Sequence, residues 1–292
     1  MFRGTYTALV TPFRDGAVDE AALERLIEWQ VESGITGLVP VGTTGESPTL
    51  DAAEHTRVIE LAVRAARGRC KIIGGTGSNS TKEAITLSEE AESVGADALL
   101  HVAPYYNKPT QEGLFRHFKA VAERTQLPII LYSIPGRCGV EIGVDTVARL
   151  ARECWNIVSI KEAGGSVERV TQMRAALPPE FSILSGDDSL TIPFMSVGAD
   201  GVISVASNII PREMVRMVKA FAEGRLAEAR EAHFRFHPLF RDLFIETNPI
   251  PIKTALCLAG RISGEFRLPL CEMAPANEAK LLATLRSLNL VK

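Results

Sequence analysis

No charge of one sign dominates this 292-residue sequence: 32 Lys and Arg stand against 35 Asp and Glu, for a net charge of -3 and a pI near 6.0. Lacking a basic footprint, the chain is not expected to bind nucleic acid or an anionic membrane surface. Cysteine is scarce and unpatterned. Cys70, Cys138, Cys154, Cys257 and Cys271 are odd in number and scattered, with no Cys-x-x-Cys. That spacing argues against a disulfide framework or a structural zinc site and predicts reduced thiols in the core or at its boundary. The five histidines, His55, His101, His117, His233 and His237, fall at no metal-ligand spacing, so no metal is expected. No apolar run approaches the roughly 20 residues needed to cross a bilayer. Met1 to Tyr6 hold no signal-peptide apolar segment, and a cytoplasmic location is the expectation. What remains is 46% hydrophobic and 23% charged, an ordinary globular composition with enough length for one large α/β domain and an appendage.

Short apolar runs alternate with longer amphipathic stretches. The strand candidates are Thr7 to Pro12, Leu38 to Gly42, Lys71 to Gly75, Ala98 to Ala103, Ile129 to Tyr132, Ile157 to Lys161, Ser182 to Ser185 and Gly201 to Val205. Asp19 reads as the N-cap of a helix running to about Glu32. The runs are nearly continuous in apolar character, as strands of a parallel sheet covered on both faces should be. Ser93-Val94-Gly95-Ala96-Asp97 and Ser196-Val197-Gly198-Ala199-Asp200 are identical, and Ser33-Gly34-Ile35-Thr36-Gly37 is a looser copy. Each places glycine where a helix should end in a left-handed residue before a strand. Eight such units over residues 1–224 fit a (β/α)₈ barrel, with a flavodoxin-like or Rossmann-like sheet as the alternative. After Gly224 the strand signal stops. Helical spacing over Arg225 to Glu246, Ile252 to Leu258 and Asn277 to Leu288 predicts a small helical region, 225–292, without a linker before it.

The run Asn156-Ile157-Val158-Ser159-Ile160 ends in Lys161-Glu162-Ala163-Gly164-Gly165. Most lysines at a strand end are solvated. One held among apolar walls would lose part of its proton affinity and keep enough free amine to attack a ketone. In a barrel of this kind, chemistry sits at the carboxyl ends of the strands. There this chain carries Thr43 and Thr44 between glycines, Tyr105-Tyr106-Asn107, Tyr132 with Arg137, Gly186-Asp187-Asp188, and Ser204 to Asn208. The threonines can donate hydrogen bonds to a carboxylate, Tyr132 can pass a proton between amine, carbinolamine and enamine, and Arg137 offers a fork for a second carboxylate. Each also has a bland use, as a helix N-cap, a core aromatic and a surface ion-pair partner.

Gly75-Thr76-Gly77-Ser78-Asn79-Ser80 imitates a dinucleotide fingerprint. However, Ser80 replaces the third glycine, and Ser80-Thr81-Lys82-Glu83 has the form of a helix capping box. Walker A spacing is absent, and no organic cofactor is expected.

Gly42-Thr43-Thr44-Gly45-Glu46, Tyr132-x-x-Pro135-x-Arg137 and Ile160-Lys161-Glu162 together resemble the pyruvate-dependent class I aldolases and lyases of the dihydrodipicolinate synthase / N-acetylneuraminate lyase superfamily. The resemblance spans nearly the whole chain, through Ala103 to Pro109 and Asn248-Pro249-Ile250-Pro251-Ile252-Lys253. The Gly-Thr-Thr-Gly-Glu form and the Pro-Gly-Arg after the tyrosine favour the synthase branch. It implies condensation of pyruvate with L-aspartate-4-semialdehyde in lysine and diaminopimelate biosynthesis, through a Schiff base on Lys161. Tyr132, Thr43 and Tyr106 would relay protons, Tyr106 reaching across a subunit interface of a homodimer or dimer of dimers. Thr44 would hold the pyruvate carboxylate and Arg137 that of the semialdehyde, while Gly186 and Ile203 would line the site through backbone groups. Ser133-Ile134 and Cys138 depart from the usual Asn-Val and Thr. Lyases acting on 2-keto sugar acids, and a keto-acid sensor without turnover, are the alternatives.

Many members of this branch are inhibited by L-lysine at a cleft between subunits. The matching positions are Ser47, Ala52, His55, Asn79, Glu83 and Tyr105. Glu83 suits the ligand ammonium, and Asn79 and Tyr105 its carboxylate. Ala52 thins one wall, so inhibition is expected to be weak or absent.

Overall fold

The structure is a computed structural model that describes residues 1–292. Eight parallel strands close into a barrel: β1 Gly4–Ala8, β2 Gly37–Val39, β3 Lys71–Gly75, β4 Ala98–Val102, β5 Ile129–Ser133, β6 Ile157–Glu162, β7 Ser182–Ser185 and β8 Gly201–Ser204. Each pairs with its sequence neighbours, and β1 closes the ring on β8 through Gly4↔Gly201 to Thr7↔Ser204. This is the (β/α)₈ barrel. The first strand lies earlier than the Thr7 to Pro12 run suggested, because Thr5 and Tyr6 already pair with Val202 and Ile203. The β2 run stops at Val39, two residues before Val41 takes φ 51.

Helices cover the barrel: α1 Glu20–Glu32, α2 Ala52–Ala66, α3 Thr81–Ser93, α4 Gln111–Ala122, α5 Val144–Glu153, α6 Val167–Ala176, α7 Thr191–Ser196 and α8 Pro211–Ala222. Asp19 caps α1, accepting from Ala22 N at 2.9 Å. The repeated helix-to-strand segments behave as their glycines implied: Gly34, Gly95 and Gly198 take φ of 82°, 89° and 104°. A side chain there would cost the strain that glycine avoids.

The capping box expected at α3 is only half made. Ser80 accepts from Glu83 N, but the Glu83 carboxylate bonds the Ser78 hydroxyl and does not return to Ser80 N, which donates to Ser78 Oγ at 3.1 Å. The complete box lies at α2, where Asp51 and Glu54 cap each other's backbone N–H groups.

Period-two alternation sorts the strand residues between two cores. Leu99, Leu131 and Ile160 face the helices, in an apolar layer shared with Leu23, Ile59, Phe118 and Phe194. Leu100, Ile130, Tyr132, Leu184 and Ile203 fill the barrel interior. Because Ile160 points outward, Lys161 must point in. Three further helices, α9 Leu226–Asp242, α10 Ile250–Leu258 and α11 Pro275–Ser287, extend the outer layer through Phe240, Ile252, Leu256, Leu281 and Leu285. Burying each such side chain contributes about 1.5–3 kcal/mol. Cys70, Cys138 and Cys154 are buried free thiols, whereas Cys271 is exposed, outside the core-or-boundary placement its sequence suggested.

Candidate active site

Lys161 sits at the carboxyl end of β6 and is 5% exposed. The register sets it beside Tyr132 of β5, and its Nζ lies 4.1 Å from the centroid of that ring. Burial lowers its proton affinity from 10.5 to about 7; the Asp188 carboxylate opposes the drop and the Arg137 guanidinium adds to it. An amine with that affinity is substantially free at neutral pH. Gly186 makes room for the lysine stem: a Cβ at Gly186 would stand 2.7 Å from the Ala163 Cβ and 3.0 Å from the Lys161 Cε.

Tyr132 is also buried, which pushes its phenol up, while Arg137 and the Thr43 hydroxyl pull it back. Thr43 and Thr44 lie in a single 3₁₀ turn, Thr43–Gly45, after β2. They are therefore not a helix N-cap. The turn is pinned by Thr11 Oγ1 donating to Gly45 O at 2.7 Å. Thr44 Oγ1 accepts from Asn248 Nδ2 at 3.0 Å, which leaves its own proton free to donate. Arg137 forms no ion pair; its guanidinium donates to Asn248 O at 3.0 Å. Asn248 thus links the turn that presents Thr44 to the arginine across the mouth.

Behind the turn, Glu46 at φ 54 pairs with Lys253 of α10, and both are fully out of solvent. The Lys253 Nζ also lies 4.3 Å from the Phe13 ring centroid. Asn248 and Lys253 were not recognised as site-forming from sequence, although a lysine inside the apolar Ile250 to Leu256 run carries the same signal as Lys161. Val41 was missed too. A β-branched residue at positive φ is strained, and Gly75 admits it, since a Cβ at Gly75 would meet Val41 O at 2.6 Å. The glycines of the imitation fingerprint thus serve close backbone approach within the barrel wall.

A cavity of about 470 Å³ opens at this end, lined by Thr43, Thr44, Tyr132, Arg137, Cys138 and Lys161. It continues without a break to Ser47, Ala52, His55, Glu83 and Tyr105. His55 is therefore a buried residue and not a solvated helix position; its Nε2 bonds Gly75 O at 2.9 Å. Asn79 does not line the cavity and instead donates to Tyr105 O at 3.2 Å. Ile203 is buried inside the barrel and Gly186 lies beside the Lys161 stem, so neither forms the cavity wall. Tyr106 stands apart: it is 90% exposed with φ 69, and it does not reach the cavity of its own chain.

A desolvated amine facing a tyrosine inside the mouth of a parallel barrel defines a (β/α)₈ enzyme of carbonyl chemistry. Residues 1–288 match the model of the dihydrodipicolinate synthetase family. The chain is 54% identical over 290 residues to the 4-hydroxy-tetrahydrodipicolinate synthase of Aquifex aeolicus, covering 99% of each. It superimposes with a TM-score of 0.98 on the structure of the 4-hydroxy-tetrahydrodipicolinate synthase from Methylacidiphilum fumariolicum SolV, at 58% identity, over 99% of this chain and 96% of that one. The chloride-inhibited dihydrodipicolinate synthase of Acinetobacter baumannii, solved with pyruvate, matches at 45% identity and a TM-score of 0.97 over 100% of both chains. The chain belongs to the dihydrodipicolinate synthetase family.

Proposed function

We propose that this enzyme condenses pyruvate with L-aspartate-4-semialdehyde to give 4-hydroxy-tetrahydrodipicolinate, in lysine and diaminopimelate biosynthesis. The observation that carries the reading is the buried Lys161, its proton affinity lowered to about 7, against Tyr132. Its nitrogen adds to the pyruvate ketone, and the carbonyl oxygen leaves as water. Loss of a methyl proton from the resulting iminium gives an enamine, whose carbon adds to the semialdehyde. Tyr132 moves the protons, with Thr43 and a Tyr106 supplied by a second copy of the chain completing the relay. The exposed, left-handed Tyr106 supports that assignment and with it a homo-oligomer.

Thr44, whose proton is free, holds the pyruvate carboxylate, and Arg137 at the rim receives that of the semialdehyde. Gly186 makes room for the Lys161 stem, and Ile203 packs the barrel interior. Residues 1–224 carry the chemistry, and 225–292 brace it through Asn248 and Lys253. No helix is long and apolar enough to cross a membrane, and the substrates are small polar metabolites, which supports a cytoplasmic place of work. Ser47, His55, Glu83 and Tyr105 line the part of the cavity where L-lysine would bind, with Asn79 beside Tyr105, and Ala52 leaves inhibition there weak or absent. Borohydride reduction in the presence of pyruvate, followed by peptide mapping, tests the central claim. The adduct is expected on Lys161, and trapping elsewhere or not at all overturns it.

A further inference from the structure

Four carboxylates are buried in this fold: Glu46, Glu162, Asp188 and Asp242. Three of them face a cation. Glu46 pairs with Lys253, Glu162 with Arg169 at 2.9 Å, and Asp242 with Arg241 at 2.8 Å and Lys280 at 3.6 Å. Asp188 has no ion pair. A carboxylate taken out of water without a counter-charge is costly, so its retention calls for a cation at some stage of the working cycle.

The local geometry holds Asp188 in place while leaving half of it unused. Its Oδ2 accepts from Val205 N at 3.1 Å and Ala206 N at 2.8 Å, just past β8. Its Oδ1 is buried and has no partner. The Asp188 segment follows β7, whose Leu184 pairs with Lys161 and whose next turn brings Gly186 against the lysine stem. Of the charged groups that act on Lys161, Asp188 is the anion and Arg137 the cation; the buried Tyr132 phenol on β5 is neutral. Glu162, next in the chain, points outward to Arg169 and is spent there. Around Asp188 itself stand the Ser204 hydroxyl and the Asp187 carboxylate.

We propose that Asp188 is the positioning counter-ion of the Lys161 iminium, its carboxylate stabilising the positive charge that appears on nitrogen when the keto acid is bound. This rests on the Schiff-base reading above. The charge balance requires such a group. A neutral amine and a ketone, with one proton taken up from solvent, give an iminium and water: the C–N bond forms, the C–O bond breaks, and nitrogen keeps one hydrogen and a positive charge. The site thus gains a positive charge on a buried nitrogen, beside the like charge of Arg137. Asp188 supplies the opposing charge without forming a bond to the substrate. Burial holds its carboxyl up to about 6, so it is ionised at neutral pH, when the iminium forms.

The test is borohydride trapping of pyruvate as a function of pH and pyruvate concentration, in the native protein and in Asp188→Asn. Asparagine keeps the acceptor for the two backbone N–H groups and removes only the charge. Mapping the native adduct to Lys161 first establishes the underlying chemistry; its absence there sinks that reading and is a separate result. With the native adduct in hand, D188N is expected to need about tenfold more pyruvate for half-maximal trapping. Its acid limb should move about one pH unit lower, because the anion that raised the amine's affinity is gone. A weaker adduct with an unmoved acid limb marks Asp188 as merely structural and overturns the proposal, as does no change in either. Should D188N fail to fold, Ser204→Ala removes the neighbouring hydroxyl that lowers the proton affinity of the Asp188 carboxylate. Adduct loss confined to the acid side is then expected, and uniform loss or none overturns the proposal.

Discussion

Tyr132 and Lys161 are register partners on adjacent parallel strands, both facing the barrel interior, with the lysine Nζ 4.1 Å from the tyrosine ring centroid. The pairing separates two roles that substitution can distinguish. Lys161→Ala should lower turnover by roughly a thousandfold or more while the circular dichroism of the fold persists, because the covalent step is gone. Tyr132→Phe should slow turnover by about a hundredfold or more, with pyruvate still trapped on Lys161, since the hydroxyl moves protons and the amine makes the bond. An unchanged rate in the phenylalanine variant would remove Tyr132 from the relay.

Lys161 also has a signature in stability. Its folded proton affinity is lowered from 10.5 to about 7 by burial, so the unfolded chain holds the extra proton between those values. Stability should therefore rise with pH across that window, and below it the burial penalty is fully present. Lys161→Met should accordingly raise the unfolding free energy at neutral pH by on the order of a few kcal/mol, and the gain should vanish above about pH 10.5. Denaturant melts at the two pH values measure it; an equal gain at both would contradict a desolvated amine.

The Glu46–Lys253 pair tests the brace behind the threonine turn. Lys253→Met leaves Glu46 buried without its cation and should cost about 3–5 kcal/mol. The double variant with Glu46→Gln should recover much of that loss. Urea unfolding of the single and double variants decides, and a double variant no more stable than the single would show that the two side chains do not form a coupled unit.

Acid should destabilise the fold through buried histidines. His101 is wholly buried, its Nε2 bonded to Thr76 at 2.9 Å, and burial pulls it down to about 3; His117, bonded to Thr81, falls to about 4. A histidine depressed below its unfolded value of about 6.5 contributes stability above that pH and loses it as the pH falls toward the folded value. His101→Gln should flatten the decline of melting temperature between about pH 6.5 and pH 4, relative to the unaltered protein. An identical slope would mean that other groups carry the acid response.

Inhibition by L-lysine should be weak or absent. Glu83, the acid for a ligand ammonium, already bonds the Ser78 hydroxyl, Asn79 is engaged with the Tyr105 carbonyl, and Ala52 leaves one wall thin. Initial rates across a lysine titration check this; strong inhibition at micromolar lysine would overturn the inference from Ala52.

The strand count, the first helix start and a lysine held out of solvent at a strand end were legible in the sequence because each rests on a local rule. Continuous apolar runs mark covered parallel strands, Asp19 marks a cap, and Lys161 is conspicuous at the end of an apolar run. Its inward direction also follows from alternation with Ile160 once a strand is granted. What the sequence could not supply are relations between residues far apart in the chain. Asn248 meets Thr44 and Arg137, and Lys253 meets Glu46, only because α10 folds back over the mouth of the barrel. The capping partner of Glu83 was misjudged for the same reason at shorter range, since a nearby Ser78 hydroxyl outcompeted the backbone amide. Nor does a run of letters reveal which buried acid lacks a cation. Asp188 differs from Glu46, Glu162 and Asp242 in what surrounds it, and desolvation together with charge pairing is decided by the closed barrel, where tertiary packing sets which groups meet out of water.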